Sequence, residues 1–194
     1  MINSDIIIDQ TRRWIATIVI GLNLCPFAKK VYIQDRIRYV VTDAETSASL
    51  LEDLSRELTL LATAAATSIE TTLLIHPLAL LDFIDFNDFL AVADLRLEVL
   101  GFRGVFQIAS FHPDYQFTGT TLDAVENYTN RSPYPMLHLL REESISIAIN
   151  EYPDADTIPD RNIQTLRQLG AKKLLAIILE VTEYEKNQDT HEVD

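Results

Sequence analysis

Two short apolar segments that each run into a His-Pro pair constrain the fold more than any other feature of this sequence. The first covers Thr71–Ile75 and stops at His76, and the second covers residues 105–109 and stops at His112. The residue before a proline is pushed toward extended geometry, and proline cannot donate a hydrogen bond to a strand ladder. Both segments are therefore predicted to be strands that end at the histidine.

Amphipathic helical patterns alternate with these strands. Residues 37–41 predict an earlier strand, and apolar residues recur at intervals of three and four within residues 51–65 and 86–97. The predicted order is βαβαβ, which favours a small, mostly parallel sheet covered by helices in a two-layer or three-layer α/β domain. Strands joined by crossover helices end at one edge, so His76 and His112 are predicted at the carboxyl edge, where such sheets bind ligands. Adjacent strands would place them about 5 Å apart.

The remaining segments predict helices at both ends of the chain. Residues 4–22 form an amphipathic first helix, followed by a turn, and a long polar loop covers residues 113–131. Ser132 and Pro133 are typical of a helix start, so a helix is predicted from there through residue 149. Further helices are predicted from Thr157 to Gly170 and from residue 171 to about 184. We expect one α/β domain over residues 1–185 and a flexible acidic tail over residues 186–194.

Composition narrows the class of protein. The 194 residues carry a formal net charge of −13, and the 16 Lys and Arg are scattered, which argues against nucleic-acid and anionic-membrane partners. Cys25 is the single cysteine, so no intramolecular disulfide can form, and a reducing, cytoplasmic location is expected. No Gly-rich phosphate loop is present, so no nucleotide cofactor is expected. Oligomeric state stays open at this stage.

The densest polar cluster of the sequence lies between Phe111 and Glu142. His138 and Glu142 are four residues apart in the predicted helix, with Arg141 beside them, so all three would share one face. Asn130 and Arg131 precede the predicted helix start, an arrangement suited to a carboxylate or phosphate. The alternative is a buried histidine beside an ordinary surface network of charges.

Two further residues could carry chemistry. His112, with Asp114 and Tyr115 after it, could supply a general base, a ligand and a hydrogen-bond donor, or simply cap a loop. Cys25 could be a nucleophile activated by His112 or His138, or a small buried apolar residue. The residues predicted to be catalytic are His112, His138, Cys25, Asp114 and Glu142, and those predicted to bind substrate are Arg131, Asn130, Tyr115, Tyr134 and Arg141.

These residues are compatible with two chemistries. Either a transition metal such as zinc or iron is held by histidines, with His76, His112 and His138 as candidate ligands, or Cys25 acts as a nucleophile. The leading hypothesis is an enzyme, for instance a hydrolase, that acts on a small anionic molecule at the carboxyl edge. The alternatives are a non-catalytic metal- or ligand-binding module and an acidic protein-interaction scaffold.

Four sequence strings carry a resemblance to a known family. GLNLCPFA, TTLLIHP, ASFHPDYQF and above all NYTNRSPYPMLHLLRE resemble a bacterial family catalogued as domain of unknown function 1415. The resemblance extends from the first helix to about Gly170. It implies no activity, cofactor or site residue, so the site rests on the residues themselves.

Overall fold

The chain folds into a sheet with helices packed on both of its faces. The structure is a computed structural model that describes residues 3–183, and within them it has seven α-helices and four strands. A π-helical segment, Ile15–Ile20, continues the first helix. The elements are α1 (Ser4–Trp14), α2 (Ala28–Ile33), β1 (Ile37–Val41), α3 (Ser47–Thr63), β2 (Thr71–Ile75), α4 (Phe83–Val99), β3 (Phe106–Phe111), β4 (Met136–Arg141), α5 (Glu142–Glu151), α6 (Ile158–Leu169) and α7 (Ala171–Glu183).

The predicted βαβαβ core is confirmed, and β4 is added to it. The sheet order is β1-β2-β4-β3, with β1 and β2 parallel and β4 antiparallel to both of its neighbours. Three strands therefore point the same way, and β4 runs against them. Met136 pairs with both Ile75 and Phe111, the last residues of β2 and β3. His76 and His112 thus share the carboxyl edge as predicted, but one strand lies between them and separates their backbones by about 10 Å.

The predicted helix from Pro133 is wrong, because Met136–Arg141 is a strand and the helix begins at Glu142. The Ser132 hydroxyl caps no helix and instead donates to the Tyr134 carbonyl at 2.6 Å. Leucine and methionine are strong helix formers, and a central strand covered on both faces has a continuous apolar pattern rather than an alternating one. The local propensity of this segment therefore favours a helix, but pairing with β2 and β3 makes it a strand.

Each face of the sheet has its own apolar core. Leu74 and Leu137 belong to the core under α3 and α4, which we call the α3/α4 face. Leu73 and Met136 belong to the core under α1, the π-helical segment, α6 and α7, which we call the α1/α6 face. Successive strand residues point to opposite faces. The position of a residue along a strand therefore decides which layer its side chain joins.

The helices of the α3/α4 face hold the carboxyl edge in place. Four leucines of α3 are fully buried, each contributing about 2 to 3 kcal/mol. Asp82 caps α4 by accepting hydrogen bonds from the backbone N–H groups of Ile84 and Asp85. This cap fixes the start of α4 directly after the loop that follows β2, so that the first turn of α4 packs under His76 and His112.

The C-terminal helices follow the predicted pattern. The helices predicted from Thr157 and from residue 171 correspond to α6 and α7. The predicted tail over residues 186–194 lies outside the described residues. No helix within residues 3–183 is long and apolar enough to cross a membrane.

Candidate ligand site at the carboxyl edge of the sheet

His76 is fully buried directly after β2, on the α3/α4 face. Its Nδ1 lies 2.9 Å from the carbonyl oxygen of Ala79. A carbonyl only accepts, so Nδ1 carries the proton and Nε2 is a bare acceptor. Within residues 3–183, Nε2 of His76 has no hydrogen-bond partner. A buried polar atom without a partner is uncommon and is costly to maintain.

His112 is equally buried after β3, but both of its ring nitrogens have partners. The backbone N–H of Asp114 donates to Nδ1 at 3.0 Å. Nε2 therefore carries the proton, and it donates to the carbonyl oxygen of Leu80 at 3.2 Å. The two histidines thus hold opposite tautomers, and only His76 has a nitrogen available to another molecule.

Aromatic rings surround both imidazoles. The Phe86 ring centroid is 5.6 Å from that of His76 and 5.1 Å from that of His112, and Phe83 contacts both His112 and Tyr115. Burial in these surroundings lowers the pKa of His76 to about 4 and also lowers the pKa of His112. Both imidazoles are therefore neutral at pH 7.

A single loop, residues 77–82, covers the two histidines. His76 is bonded to Ala79 and His112 to Leu80, so each imidazole holds one carbonyl of this loop. Leu80 has φ of 54°, in the left-handed region that costs a non-glycine residue about 1 to 2 kcal/mol. Such strain persists only where the surroundings enforce it and is concentrated at functional sites. The two imidazole bonds therefore hold this loop in place over the carboxyl edge.

Arg131 braces the long loop that follows β3. Its Nε donates to the Tyr115 carbonyl at 3.2 Å and its Nη2 to the Leu122 carbonyl at 2.6 Å, while its guanidinium stacks over Tyr128 at 4.7 Å. No helix begins at Pro133, so the helix terminus expected to help Arg131 bind an anion is absent from this position. Its role as an anion anchor stays a prediction.

Three other predicted site residues lie along the same edge. Asn130 donates from Nδ2 to the Ser110 carbonyl at 3.1 Å, and the Tyr134 hydroxyl donates to the side-chain oxygen of Gln10 in α1. Asp114 is exposed, and its backbone rather than its carboxylate contacts His112. These contacts are structural, and they leave the predicted substrate-binding and catalytic roles untested.

His138 lies on the other side of the sheet. Its neighbour in β4, Leu137, packs on the α3/α4 face, so His138 points to the α1/α6 face, where its ring is 6.1 Å from that of Phe111. Burial lowers the pKa of His138 to about 4. The sheet therefore separates His138 from His76 and His112, because a strand, unlike the predicted helix, alternates its side chains between two faces.

This separation removes the geometry expected for a metal centre. Across residues 3–183, the structure contains no group of three or more His, Cys, Asp or Glu side chains able to hold a metal ion. His112, moreover, uses both nitrogens within the protein. The proposed zinc or iron site at His76, His112 and His138 is not assembled by this fold.

Arg141 and Glu142 lie at the amino edge of the sheet, the full length of β4 (about 17 Å) from the histidine pair. Nη2 of Arg141 lies 2.9, 2.8 and 3.0 Å from the carbonyl oxygens of Leu61, Ala64 and Ile69, respectively. It therefore holds the end of α3, where carbonyls lack helical partners and favour a cation. The prediction that Arg141 and Glu142 share a helix face with the histidine of β4 is wrong.

Cys25 lies between the π-helical segment and α2. Leu24, just before it, belongs to the core of the α1/α6 face, and the Leu24 carbonyl accepts from Asn162 of α6 at 2.8 Å. Burial raises the pKa of the Cys25 thiol, which opposes the thiolate that a nucleophile requires. The nucleophile hypothesis receives no support from this environment and stays a prediction.

Sequence reasoning missed a cleft at the carboxyl end of β1. Its volume is about 590 Å³. Two of its carboxylates are already paired, since Asp53 accepts from Thr42 and pairs with Arg56, and Glu57 pairs with Arg38 at 2.7 Å, whereas Asp43 and Glu45 are exposed. The carboxyl-edge rule used for the histidines would also have found it. The cleft is lined by Val40, Val41, Thr42, Asp43, Ala44, Glu45, Ser49, Asp53, Arg56 and Glu57.

Fold and site together define an α/β protein with a mixed four-stranded sheet and a buried histidine pair at its carboxyl edge. The model of a family described as a protein of unknown function, DUF1415, matches residues 6–176. The chain therefore belongs to this family, as the resemblance of its motifs indicated. No curated protein and no solved structure matches the chain.

Proposed function

We propose that this protein binds a small molecule at the carboxyl edge of its sheet, with Nε2 of His76 as the hydrogen-bond acceptor. The observation that carries the proposal is the buried, unpartnered state of that nitrogen. A ligand hydroxyl or N–H group placed there would relieve the cost of leaving the acceptor unpaired, about 1 to 3 kcal/mol.

The environment of His76 favours binding over acid/base catalysis. A general base works best with a pKa near the operating pH, and burial lowers the pKa of His76 to about 4. At neutral pH such an imidazole accepts a hydrogen bond but takes up a proton weakly. Both ring nitrogens of His112 are hydrogen-bonded within the protein, so neither is free to act as a base. A non-catalytic ligand-binding module is thus better supported than an enzyme.

The ligand should combine a donor group with an apolar or aromatic body. Phe83 and Phe86 form the walls beside the imidazoles and offer ring faces rather than charges. An anionic group on the ligand would have to reach Arg131, two of whose nitrogens already donate to loop carbonyls. We therefore expect a neutral donor to contribute more to binding than a negative charge.

A thermal-shift screen at pH 7 tests this proposal, using small aromatic alcohols and amides beside matched carboxylates. A true ligand should stabilise the wild type by about 3 kcal/mol at a hundredfold excess over its Kd and should fail to stabilise His76→Phe, which keeps a ring but lacks the acceptor. His138→Phe is the matched control on the other face and should respond like the wild type.

Two results would contradict the proposal. One is a set of ligands that stabilise His76→Phe and the wild type equally. The other is a permanently bound water on Nε2 that no compound displaces, detected by NMR, since ordered water commonly satisfies buried polar atoms. Consumption of a bound compound in the same NMR samples would instead restore the enzyme hypothesis.

A further inference from the structure

The two edges of the sheet differ in how far the chain itself covers them. The sheet order is β1-β2-β4-β3, so β1 and β3 each have one side without a neighbouring strand. Such an edge presents backbone N–H and C=O groups that can pair with another chain, and native proteins usually cover or interrupt it. The hydrogen bonds at each edge therefore show which of the two is open to a partner.

The edge of β3 is covered at both ends. The N–H of Phe106 donates to the Phe102 carbonyl at 3.1 Å. At the other end, the Asn130 side chain donates to the Ser110 carbonyl at 3.1 Å, and the Asn130 carbonyl accepts from the N–H of His112 at 3.2 Å. These contacts leave only the middle of the strand uncovered.

The edge of β1, by contrast, is open along its whole length. The N–H of Thr42 donates to the Ile75 carbonyl of β2 at 2.9 Å, and successive residues of a strand direct their backbone groups to opposite sides. The N–H and C=O groups of Ile37, Tyr39 and Val41 therefore point away from β2. Within residues 3–183, none of these six backbone groups has a hydrogen-bond partner.

Strand β1 also lacks the features that usually prevent strand addition. It contains no proline and no bulge, since its five residues pair with β2 in unbroken register. Its one charged residue, Arg38, is turned toward α3, where it pairs with Glu57 at 2.7 Å. An extended peptide backbone is the partner that complements a regular row of N–H and C=O groups.

The carboxyl end of this edge is acidic. Val41 lines the cleft at the end of β1 together with Asp43 and Glu45, which are both exposed. Among the ion pairs of residues 3–183, none involves Asp43 or Glu45. At the amino end, Arg12 and Asp35 pair with each other at 3.3 Å. The uncompensated charge along the edge is therefore negative and lies at its carboxyl end.

We propose that β1 binds an extended, basic peptide segment of a partner protein, which adds as a fifth strand and places a lysine or arginine side chain beside Asp43 and Glu45. Strand addition of this kind draws affinity from main-chain hydrogen bonds and specificity from side-chain pockets. Here the open edge supplies the first, and the cleft of about 590 Å³ at its end supplies the second. The net charge of −13 attracts a basic segment at long range.

A second copy of this chain fits the edge less well. Twofold antiparallel pairing that uses all the open groups is centred on Tyr39, and it would place Asp35 of each copy opposite Asp43 of the other. Both aspartates are exposed, and like charges directly opposite one another destabilise a strand pair. A basic segment avoids this repulsion, so the charges favour a different protein as the partner.

Hydrogen exchange of the full chain, followed by NMR, tests the open edge. In the free protein, the N–H groups of Tyr39 and Val41 should exchange at least about tenfold faster than those of Arg38 and Val40, which are bonded to β2. The probe is a synthetic peptide of alternating threonine and valine with two lysines at each end. On binding, it should slow exchange at Tyr39 and Val41 by more than about fivefold.

Two control peptides separate the backbone and charge contributions. One carries glutamates in place of the lysines, and the other keeps the lysines but is N-methylated at alternate residues, so that it cannot complete the ladder. Each should bind at least about tenfold more weakly than the lysine peptide in an NMR titration.

Variants of the protein test the same two contributions. Val41→Pro removes an outward N–H without removing a bond to β2, and it should weaken the lysine peptide at least about tenfold. Ile108→Pro is the matched control, because it removes an outward N–H from the middle of β3, and it should bind like the wild type. Asp43→Asn/Glu45→Gln changes exposed residues only and should also weaken the lysine peptide. Circular dichroism confirms that each variant is folded.

Four results would overturn the proposal. They are equal exchange at all four amides of β1, equal binding of the lysine and glutamate peptides, full binding by folded Val41→Pro, and exchange at Tyr39 and Val41 that is slow in the free protein and speeds up on dilution. The last result would assign the edge to a second copy. Because His76 does not line the cleft, failure of peptide binding leaves the ligand proposal standing, and failure of ligand binding leaves the peptide proposal standing.

Discussion

His76 and His112 are the same type of residue in equivalent positions, yet their ring nitrogens are used differently. Each lies directly after a strand, is fully buried and donates to a carbonyl of residues 77–82. His112 uses Nε2 for this bond and accepts on Nδ1, whereas His76 uses Nδ1 and leaves Nε2 unpaired. In this chain each His-Pro pair thus marks a strand end and anchors the covering loop, and of the four ring nitrogens only Nε2 of His76 lacks a hydrogen-bond partner within residues 3–183.

Replacing each histidine by leucine should separate their roles most strongly. His112→Leu leaves the Leu80 carbonyl and the Asp114 N–H without partners, and we expect a loss of about 4 kcal/mol in the free energy of unfolding. His76→Leu leaves only the Ala79 carbonyl without a partner, and it also removes the unpaired Nε2. We therefore expect a smaller loss of about 2 kcal/mol in the free energy of unfolding. Urea unfolding at pH 7 measures both.

Equal losses in the two variants would contradict the assignment of two bonds to His112 and one to His76. A loss confined to His76→Leu would reverse it. His138→Leu is a useful reference on the other face, since no hydrogen bond of the described residues involves its side chain.

Acid should erode the contribution of His76 to stability. Burial lowers the pKa of His76 in the folded chain to about 4 from the ordinary 6.5. Between pH 6.5 and pH 4 the imidazole is therefore protonated in the unfolded chain and neutral in the folded chain. The stability from His76 is therefore complete above pH 6.5 and falls by about 3 kcal/mol as the pH drops to 4. His76→Leu lacks this dependence. It should be less stable than the wild type at pH 7 and more stable near pH 4.

Urea unfolding of both proteins between pH 7 and pH 4 measures this crossing. The difference between them cancels carboxylate titrations that the two proteins share. A constant difference across the range would show that the His76 imidazole is not held neutral by burial.

Asp114→Asn should have the smallest effect of the series. The carboxylate of Asp114 is exposed and raises the pKa of His112 as a minor influence, while the bond to His112 comes from the backbone N–H. We expect unfolding free energy within about 0.5 kcal/mol of the wild type. A loss comparable to that of His112→Leu would assign the carboxylate a role that its geometry does not indicate.

The sequence predicted the parts of the fold that local patterns control. The strands ending at His76 and His112, the helices between them and the shared carboxyl edge follow from proline chemistry and apolar periodicity. The strand Met136–Arg141 could not be found in this way, because its leucines and the preceding Ser132 and Pro133 all favour a helix. Its strand state depends on pairing with β2 and β3, which no local pattern reports.

The candidate site was predictable only in part, for the same reason. Because Met136–Arg141 is a strand and not the predicted helix, His138 lies on the opposite face of the sheet from His76 and His112. For the same reason Arg141 and Glu142 lie at the opposite edge of the sheet. The hydrogen bonds that distinguish His76 from His112 come from loop carbonyls whose positions depend on the folded chain.

The most direct test of this account is the tautomeric state of the two buried histidines. Long-range ¹H–¹⁵N NMR spectra at pH 7 distinguish protonated from bare imidazole nitrogens. We predict a protonated Nδ1 and bare Nε2 on His76, and a bare Nδ1 and protonated Nε2 on His112, as their backbone partners require. The same tautomer on both residues, or a doubly protonated His76, would contradict the claim that one buried acceptor is free to bind a ligand.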